Sequence, residues 1–519
     1  MTPPKPAAPG NRWPLSAIHT KNDVLALSLA ALLLHLAFSQ RYGIFRDELY
    51  YLACSEHLDW GYVDQPPLIA WAAWFARHAF GEGLFGLRLL PAIASALTVW
   101  VTGRLTREMG GGRFAQALAC FCVLTAPIYL ILQHWLTMNA FEPLLWMGCA
   151  WFALRAVTTG RGGYWIWFGV VAGIGLENKY SMAFFGLAVI AGLLLTSDRH
   201  WIWSKWMWLG GGAALLLFLP NLIWLIQHRF PFLDLMHNIR QTNRDVVRTP
   251  LGFILDQGVI LGPAVFPLWI AGLLWLFTGT EGRRYRLLAW VYLFVLLLIM
   301  TLKGKNYYLA PAYPMLFAAG AVALEEWTQR RRQWIRLAYS AMIIMTTVML
   351  MPMFLPVLSP ERFMAYQQKL GFEPPKAENQ DNGPLPQYFA DEFGWEGMVR
   401  EVARVYQSLP PTERATTAIF ANGYGEAAAI DFLGPKYGLP KAISNHQNYW
   451  LWGPRNYTGE TVIVLGSNGR SDREHFASVI EAGYVSHPYS RRDEHFPILV
   501  CRGLKSDLRT LWPSMKNWR

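Results

Sequence analysis

Residues 23–51 read DVLALSLAALLLHLAFSQRYGIFRDELYY. The apolar part, 23–40, approaches the ~20 residues that a helix needs to cross a bilayer. It gives way to a polar turn, and one turn beyond its end come Asp47 and Glu48, ahead of Tyr50-Tyr51. Ten more apolar stretches follow, at 85–103, 114–132, 141–157, 164–176, 181–196, 206–226, 258–278, 287–302, 307–323 and 335–357. Ala37-Phe38-Ser39 resembles a signal-peptidase site. The length of the first stretch and the spans after it favour an uncleaved anchor instead. The expectation is a polytopic α-helical membrane protein with about 11 transmembrane helices.

Composition agrees. Of 519 residues, 53% are hydrophobic and 16% charged, against about 25% charged in soluble proteins. The 25 Trp, 22 Tyr and 29 Phe suit aromatic belts at two membrane interfaces. A net charge of +11 in a soluble chain would point to nucleic acid. Here the excess sits in short loops, where it reports topology, and anionic membrane lipids are the natural partner. No nucleic-acid partner is expected. The five cysteines form no disulfide framework, and only Cys54 and Cys501 fall on the side read as outer.

Alternate gaps between the spans collect Arg104, Arg107 and Arg113; Arg155 and Arg161; Arg199 and Lys205; Arg283, Arg284 and Arg286; and Arg330, Arg331, Arg332 and Arg336. The N-terminal tail adds Lys5, Arg12 and Lys21. The positive-inside rule places this set in the cytoplasm. The other gaps then face outward: 41–84, 133–140, 177–180, 227–257, 303–306 and everything after 358. Three parts result, a cytoplasmic tail 1–22, a transmembrane part 23–357 with a large first outer loop 41–84, and a soluble part 358–519. The last begins with Pro and Gly (Glu373-Pro374-Pro375, Asn382-Gly383-Pro384). Its patterning predicts strands at 416–421, 461–466 and 497–501 and helices at 393–408, 425–433 and 472–482. That is a small outer α/β domain.

Chemically rich residues gather in the outward gaps. After Arg46-Asp47-Glu48 the apolar spacing predicts an amphipathic helix along the interface, and Asp64-Gln65-Pro66-Pro67 follows in an extended turn. A carboxylate held partly desolvated there gains basicity. The bland alternative is a pair of solvated loop charges. Asn139 and Glu142 open the fourth span, where Glu142 also suits a helix N-terminus. Lys179, Lys303 and Lys305 lie on the wrong side for the positive-inside rule, beside Tyr307 and Tyr308. Each alone could snorkel at a helix end; together with the carboxylates they suggest an anionic ligand such as a lipid phosphate. Gly423-Tyr424-Gly425 matches a loose dinucleotide pattern, but no acid occurs between Asp431 and Glu460 to hold a ribose. It reads as a tight strand-to-helix turn.

Arg46-Asp47-Glu48 ahead of Tyr50-Tyr51, then Asp64-Gln65-Pro66-Pro67-Leu68 and a Lys/Tyr-rich loop ending in Tyr313-Pro314, resemble the family 39 glycosyltransferases of the GT-C membrane fold. These include protein O-mannosyltransferases and aminoarabinose transferases. The resemblance covers roughly residues 20–350. It implies a polyprenyl-phosphate-linked sugar donor, inversion at the anomeric carbon, and Asp47 as general base. Lys179, Lys303, Lys305, Tyr307 and Tyr308 would hold the donor phosphate. Glu48, counted with Asp47 among the catalytic residues, and Glu142 would orient the acceptor or the lysines, with Arg46, Gln65 and Asn139 also in acceptor or orienting roles. The acceptor hydroxyl could be on a lipid, glycan or protein. Gln65 stands where aminoarabinose transferases carry Lys, which bears on the donor sugar. Asn139 and Glu142 replace an Asp found in many members, so no obligatory metal is expected, though a divalent ion is compatible. The expected location is a bacterial inner membrane with the catalytic face periplasmic. A transporter or lipid flippase is the alternative, but no repeated halves are visible and the charges cluster at one surface.

Overall fold

The computed structural model describes residues 16–519 apart from 330, 331, 375 and 377, with the backbone alone over 16–21. Most of the expected tail 1–22, and the topology residues Arg330 and Arg331, therefore lie outside the described residues.

Helices take up the apolar stretches: α1 (Ser16–Phe38), α4 (Leu84–Glu108), α5 (Arg113–Thr125) with α6 (Pro127–Leu132), α7 (Met138–Thr159), α8 (Gly163–Asn178), α9 (Met182–Leu194) and α10 (Lys205–Gln227). The first loop contributes α2 (Arg46–Glu56) and α3 (Leu68–Phe80). After α11 (Pro231–Gln241) come α12 (Pro250–Leu261), α13 (Phe266–Thr278), α14 (Arg286–Thr301), α15 (Tyr313–Trp327) and α16 (Gln333–Phe354). All eleven expected spans fall on helices, so the chain is a multi-pass membrane protein. Among the described residues, however, only five helices are individually long and apolar enough to cross a bilayer. They are α4, α10, α14 and α15 with the short turns leading into them, and α16.

The stretch 258–278, expected as one span, is instead the pair α12 and α13, bent by 115°. Gly262 at the break has φ +87°, a conformation in which a side chain would be strained. Pro263 follows it and removes a helical donor. The stretch 114–132 likewise divides, with Pro127 at the first position of α6.

Beyond α17 (Pro360–Leu370), α18 (Gln387–Ala390), α19 (Trp395–Ser408) and α20 (Pro411–Arg414), the chain forms β1 (Ala418–Ala421), α21 (Tyr424–Leu433), β2 (Ile443–Ser444), β3 (Thr461–Leu465), β4 (Phe476–Val485) and β5 (Phe496–Leu504). The sheet order is β2-β1-β3-β5-β4. β1 runs parallel to β2 and β3, and β5 runs antiparallel to β3 and β4. The fully buried β1 and β3 form its centre. The predicted strands correspond to β1, β3 and β5, and two of the predicted helices to α19 and α21. The third, 472–482, is corrected: only Asp472–His475 turns helically before β4 begins. Pairing from Phe476↔Leu504 to Val485↔Phe496 and the β-branched Val479-Ile480 override the helical spacing.

One buried cluster joins the first loop to the sheet. Leu49, Leu52, Tyr62 and Ile69 pack with Trp395, Val399, Ile419 and Ile463. α2 was expected to lie along the interface with one face open; instead Glu48 through Ser55 are all buried, because α21 packs against it.

Candidate active site

Two acids in the first turn of α2 suit the positive end of a helix. Successive residues point about 100° apart around a helix, so Asp47 and Glu48 meet different surroundings. Glu48 turns into the protein and is fully buried. Its Oε2 accepts from the Phe45 amide at 3.0 Å, satisfying a donor at the start of the helix, and its Oε1 accepts from the Leu136 amide at 2.9 Å. Arg88, in the first turns of α4, donates to both oxygens at 3.1 and 2.9 Å. The same guanidinium donates to Glu392 at 3.1 Å and to the carbonyls of Ser39 and Gly43, both at 2.9 Å. Burial and the neighbouring Glu48 push Glu392 up to about 8, against the pull of Arg88.

Asp47 faces a cavity of about 930 Å³. Its Oδ1 accepts a 2.8 Å hydrogen bond from the Tyr424 hydroxyl, and Arg46 lies over the Tyr424 ring at 4.8 Å. Burial raises the Asp47 pKa, opposed by the Tyr424 hydrogen bond and by Arg46. A carboxylate so placed is a stronger base than a solvated one.

Across the cavity, Lys305 precedes α15 and Arg244 sits between α11 and α12. Glu378, from the segment after α17, links them: its Oε1 accepts from Lys305 at 2.6 Å and from Arg244 at 3.0 Å. Gln380 and Gln387 donate to Oε2, each at 3.0 Å. Burial alone would raise Glu378, but Lys305 and Arg244 hold it well below the usual carboxylate range. Lys305 also meets Asp245 at 3.3 Å. Asn139 and Tyr307 complete this polar end, while Ile128, Ile131, Leu132, Ile260 and Phe354 from the membrane helices form an apolar wall.

Of the residues singled out in the sequence, Arg46, Asp47, Asn139, Lys305 and Tyr307 line this cavity; the others do not. Glu48 is consumed by Arg88 and two amides, which makes it a positioning residue. Lys179 stands behind the wall, its Nζ 2.8 Å from both Asn139 Oδ1 and Glu142 Oε2 and 4.4 Å above the Tyr308 ring. Glu142 also accepts from Ser181. The trio Lys179, Glu142 and Tyr308 thus braces Asn139. Lys303 is exposed, at φ +55°, and takes no part. Gln65 is buried against Cys54 Sγ at 3.8 Å. Nearby Asp64 accepts from Tyr50 at 2.9 Å, and burial lifts its pKa to about 7. Cys54 and Cys501 are free thiols. Among the described residues, no three His, Cys, Asp or Glu side chains group so as to hold a metal ion.

Sequence reading missed Arg244, Glu378 and Tyr424. Arg244 had a signal: gap 227–257 carries Arg229, Arg240, Arg244 and Arg248 on the side read as outer, the same anomaly that marked the lysines. Glu378, in a Pro-rich linker, had none.

Residues 64–224 match the family model described as dolichyl-phosphate-mannose-protein mannosyltransferase. The chain is 26% identical over 260 residues to the lipid A galacturonosyltransferase RgtD of Rhizobium johnstonii, covering 49% of this chain and 54% of that protein. It is also 26% identical over 127 residues to an undecaprenyl phosphate-α-4-amino-4-deoxy-L-arabinose arabinosyl transferase of Pseudomonas fluorescens, 24% of this chain and 22% of that one. The match thus spans about half the length of the first of these relatives. In three dimensions it superposes on ArnT from Cupriavidus metallidurans bound to undecaprenyl phosphate, with a TM-score of 0.60, 16% identity, and coverage of 93% of this chain and 98% of that one. The fold is therefore the GT-C membrane fold with a C-terminal sheet.

Proposed function

We propose that this chain is an inverting membrane glycosyltransferase that moves a sugar from a polyprenyl-phosphate donor to an acceptor hydroxyl. The carrying observation is one cavity lined by the half-buried Asp47, by Lys305 and Arg244, and by apolar residues of the membrane helices. The wall suits the first isoprenes of a lipid, and the cations suit its phosphate. The description of the Rhizobium johnstonii relative names lipid A as what it modifies, which supports a lipid acceptor, while the family model's description names a protein one.

In the reaction, Asp47 accepts the proton of the acceptor hydroxyl. The hydroxyl oxygen bonds to the anomeric carbon from the face opposite the phosphate. The carbon–oxygen bond to the phosphate breaks, and the lipid phosphate leaves with its electron pair. Lys305, Arg244 and the Tyr307 hydroxyl oppose the negative charge that develops there. The positive-inside pattern supports an outward position for this end of the bundle, in keeping with a bacterial inner membrane, a cytoplasmic N-terminus and a periplasmic sheet.

The test is sugar transfer in detergent, with a panel of polyprenyl-phosphate sugars and mixed envelope acceptors. Transfer by wild type that disappears in a folded Asp47→Asn variant is the expected result. Equal transfer by both would remove Asp47 as base. No transfer, with lipid or solute movement across reconstituted vesicles, would favour the transport reading.

A further inference from the structure

The turn Gly423-Tyr424-Gly425, set aside above as a nucleotide-like coincidence, joins β1 to α21 and lands on α2. Gly425 packs so closely there that an added Cβ would sit 2.8 Å from Arg46 Nε. Tyr424 is wedged by ring contacts with Tyr50 at 4.7 Å and His446 at 5.1 Å, and its amide donates to His446 Nδ1 at 3.2 Å. Its hydroxyl is thereby aimed at Asp47, at the cavity wall. Accepting the reading of Asp47 as the base, we infer that Tyr424, carried by the C-terminal sheet region, is a positioning residue that orients Asp47 and sets its readiness to take a proton.

The chemistry follows from the donor. A hydroxyl bonded to one carboxylate oxygen fixes that carboxyl's rotation and leaves the second oxygen for the acceptor. It also stabilises the charged form. Burial and the charge of Asp47 both push the Tyr424 hydroxyl upward in pKa, so it remains a donor throughout the working range. The other groups facing Asp47 are Arg46 and Tyr51 on α2, Asp64 in the following loop, Arg244 before α12, and Glu378 and Asp391 from the segment between α17 and α19. Among the described residues, Tyr424 is the one whose hydrogen bond reaches the Asp47 carboxylate directly. The C-terminal region therefore completes the catalytic constellation.

The experiment pairs two readouts on the full-length protein in detergent. Difference infrared titration, comparing each background with and without Asp47→Asn, follows the Asp47 carboxyl without turnover. The pH profile of sugar transfer follows its use. Tyr424→Phe should move the carboxyl midpoint upward and carry the acid limb of the transfer profile with it. Transfer should fall roughly tenfold at the acid end, about the worth of one charge-assisted hydrogen bond, and recover as pH rises. Gly425→Ala, which crowds Arg46 and loosens the docking while keeping the hydroxyl, should lower transfer alike at every pH. An unmoved midpoint, or a pH-independent loss in Tyr424→Phe, would overturn the inference. A moved midpoint in a protein that transfers no sugar would uphold the Tyr424–Asp47 pairing and remove the glycosyltransferase reading.

Discussion

Asp47 and Glu48 are adjacent on one helix turn, yet they belong to opposite regimes. Asp47 lines the cavity and accepts one side-chain hydrogen bond, from Tyr424. Glu48 is buried and saturated by Arg88 and two backbone amides. A carboxylate with spare acceptor capacity facing a cavity can take a proton. One whose lone pairs are all engaged holds a structure together. The helix thus has a chemical face and an anchoring face, and the anchor keeps the chemical face aimed. The contrast breaks most sharply with amides. Asp47→Asn should cut transfer by about 10²–10⁴-fold and leave the thermal midpoint in detergent unchanged. Destabilisation with retained transfer would mean that Asp47 shares the role of its neighbour.

The anchor is tested next. Arg88→Met strips one guanidinium from two buried carboxylates, Glu48 and Glu392. Removing one partner of a buried ion pair costs about 3–5 kcal/mol, read as a fall in unfolding free energy by detergent-compatible denaturation. A neutral result would show that the two carboxylates carry protons and need no cation.

One cation between two carboxylates also predicts a pH dependence. Glu392 rises from an ordinary 4.5 to about 8 in the folded protein. Between those values the folded state binds the extra proton, so stability falls as pH rises. The contribution is complete below about pH 4.5 and gone above about pH 8, and is on the order of 5 kcal/mol. Glu392→Gln should flatten the slope of unfolding free energy between pH 5 and 8. A slope that persists would place the titration elsewhere.

Much of this architecture is legible in the chain. Long apolar stretches locate the bundle, because they follow from bilayer physics and do not depend on tertiary detail. The short apolar runs that become β1, β3 and β5 are likewise found as strands. What fails is local competition: β4 has helical spacing but gains more from pairing with β5, and the span at 258–278 breaks where Gly262 and Pro263 coincide. Within the site, Asp47, Lys305 and Tyr307 are readable as charges and hydroxyls out of place. Arg88 was readable too, as an ionisable group inside an apolar stretch. Tyr424 was not, since its partner lies 377 positions away and nothing local marks the contact.

The smallest effects concern the far side of the cavity, where the same contrast recurs with cations. Lys179 is an anchoring lysine, locked to Glu142 and Asn139; Lys305 is a chemical one, facing the cavity. Lys305 and Arg244 are nevertheless engaged by Glu378 and Asp245, which leaves the group near neutrality. A phosphate binding there competes with the Glu378 carboxylate for the same two donors. Lys305→Gln should weaken inhibition of transfer by free polyprenyl phosphate roughly tenfold, the loss of one charge-assisted contact. Glu378→Gln should strengthen it by a similar or smaller factor, because an amide cannot compete as an anion. Opposite signs would establish that Glu378 is a displaceable stand-in for phosphate. Weakening by both would show that it instead holds the two cations in place, as Glu142 holds Lys179, and the distinction between chemical and anchoring cations would then fail at Lys305.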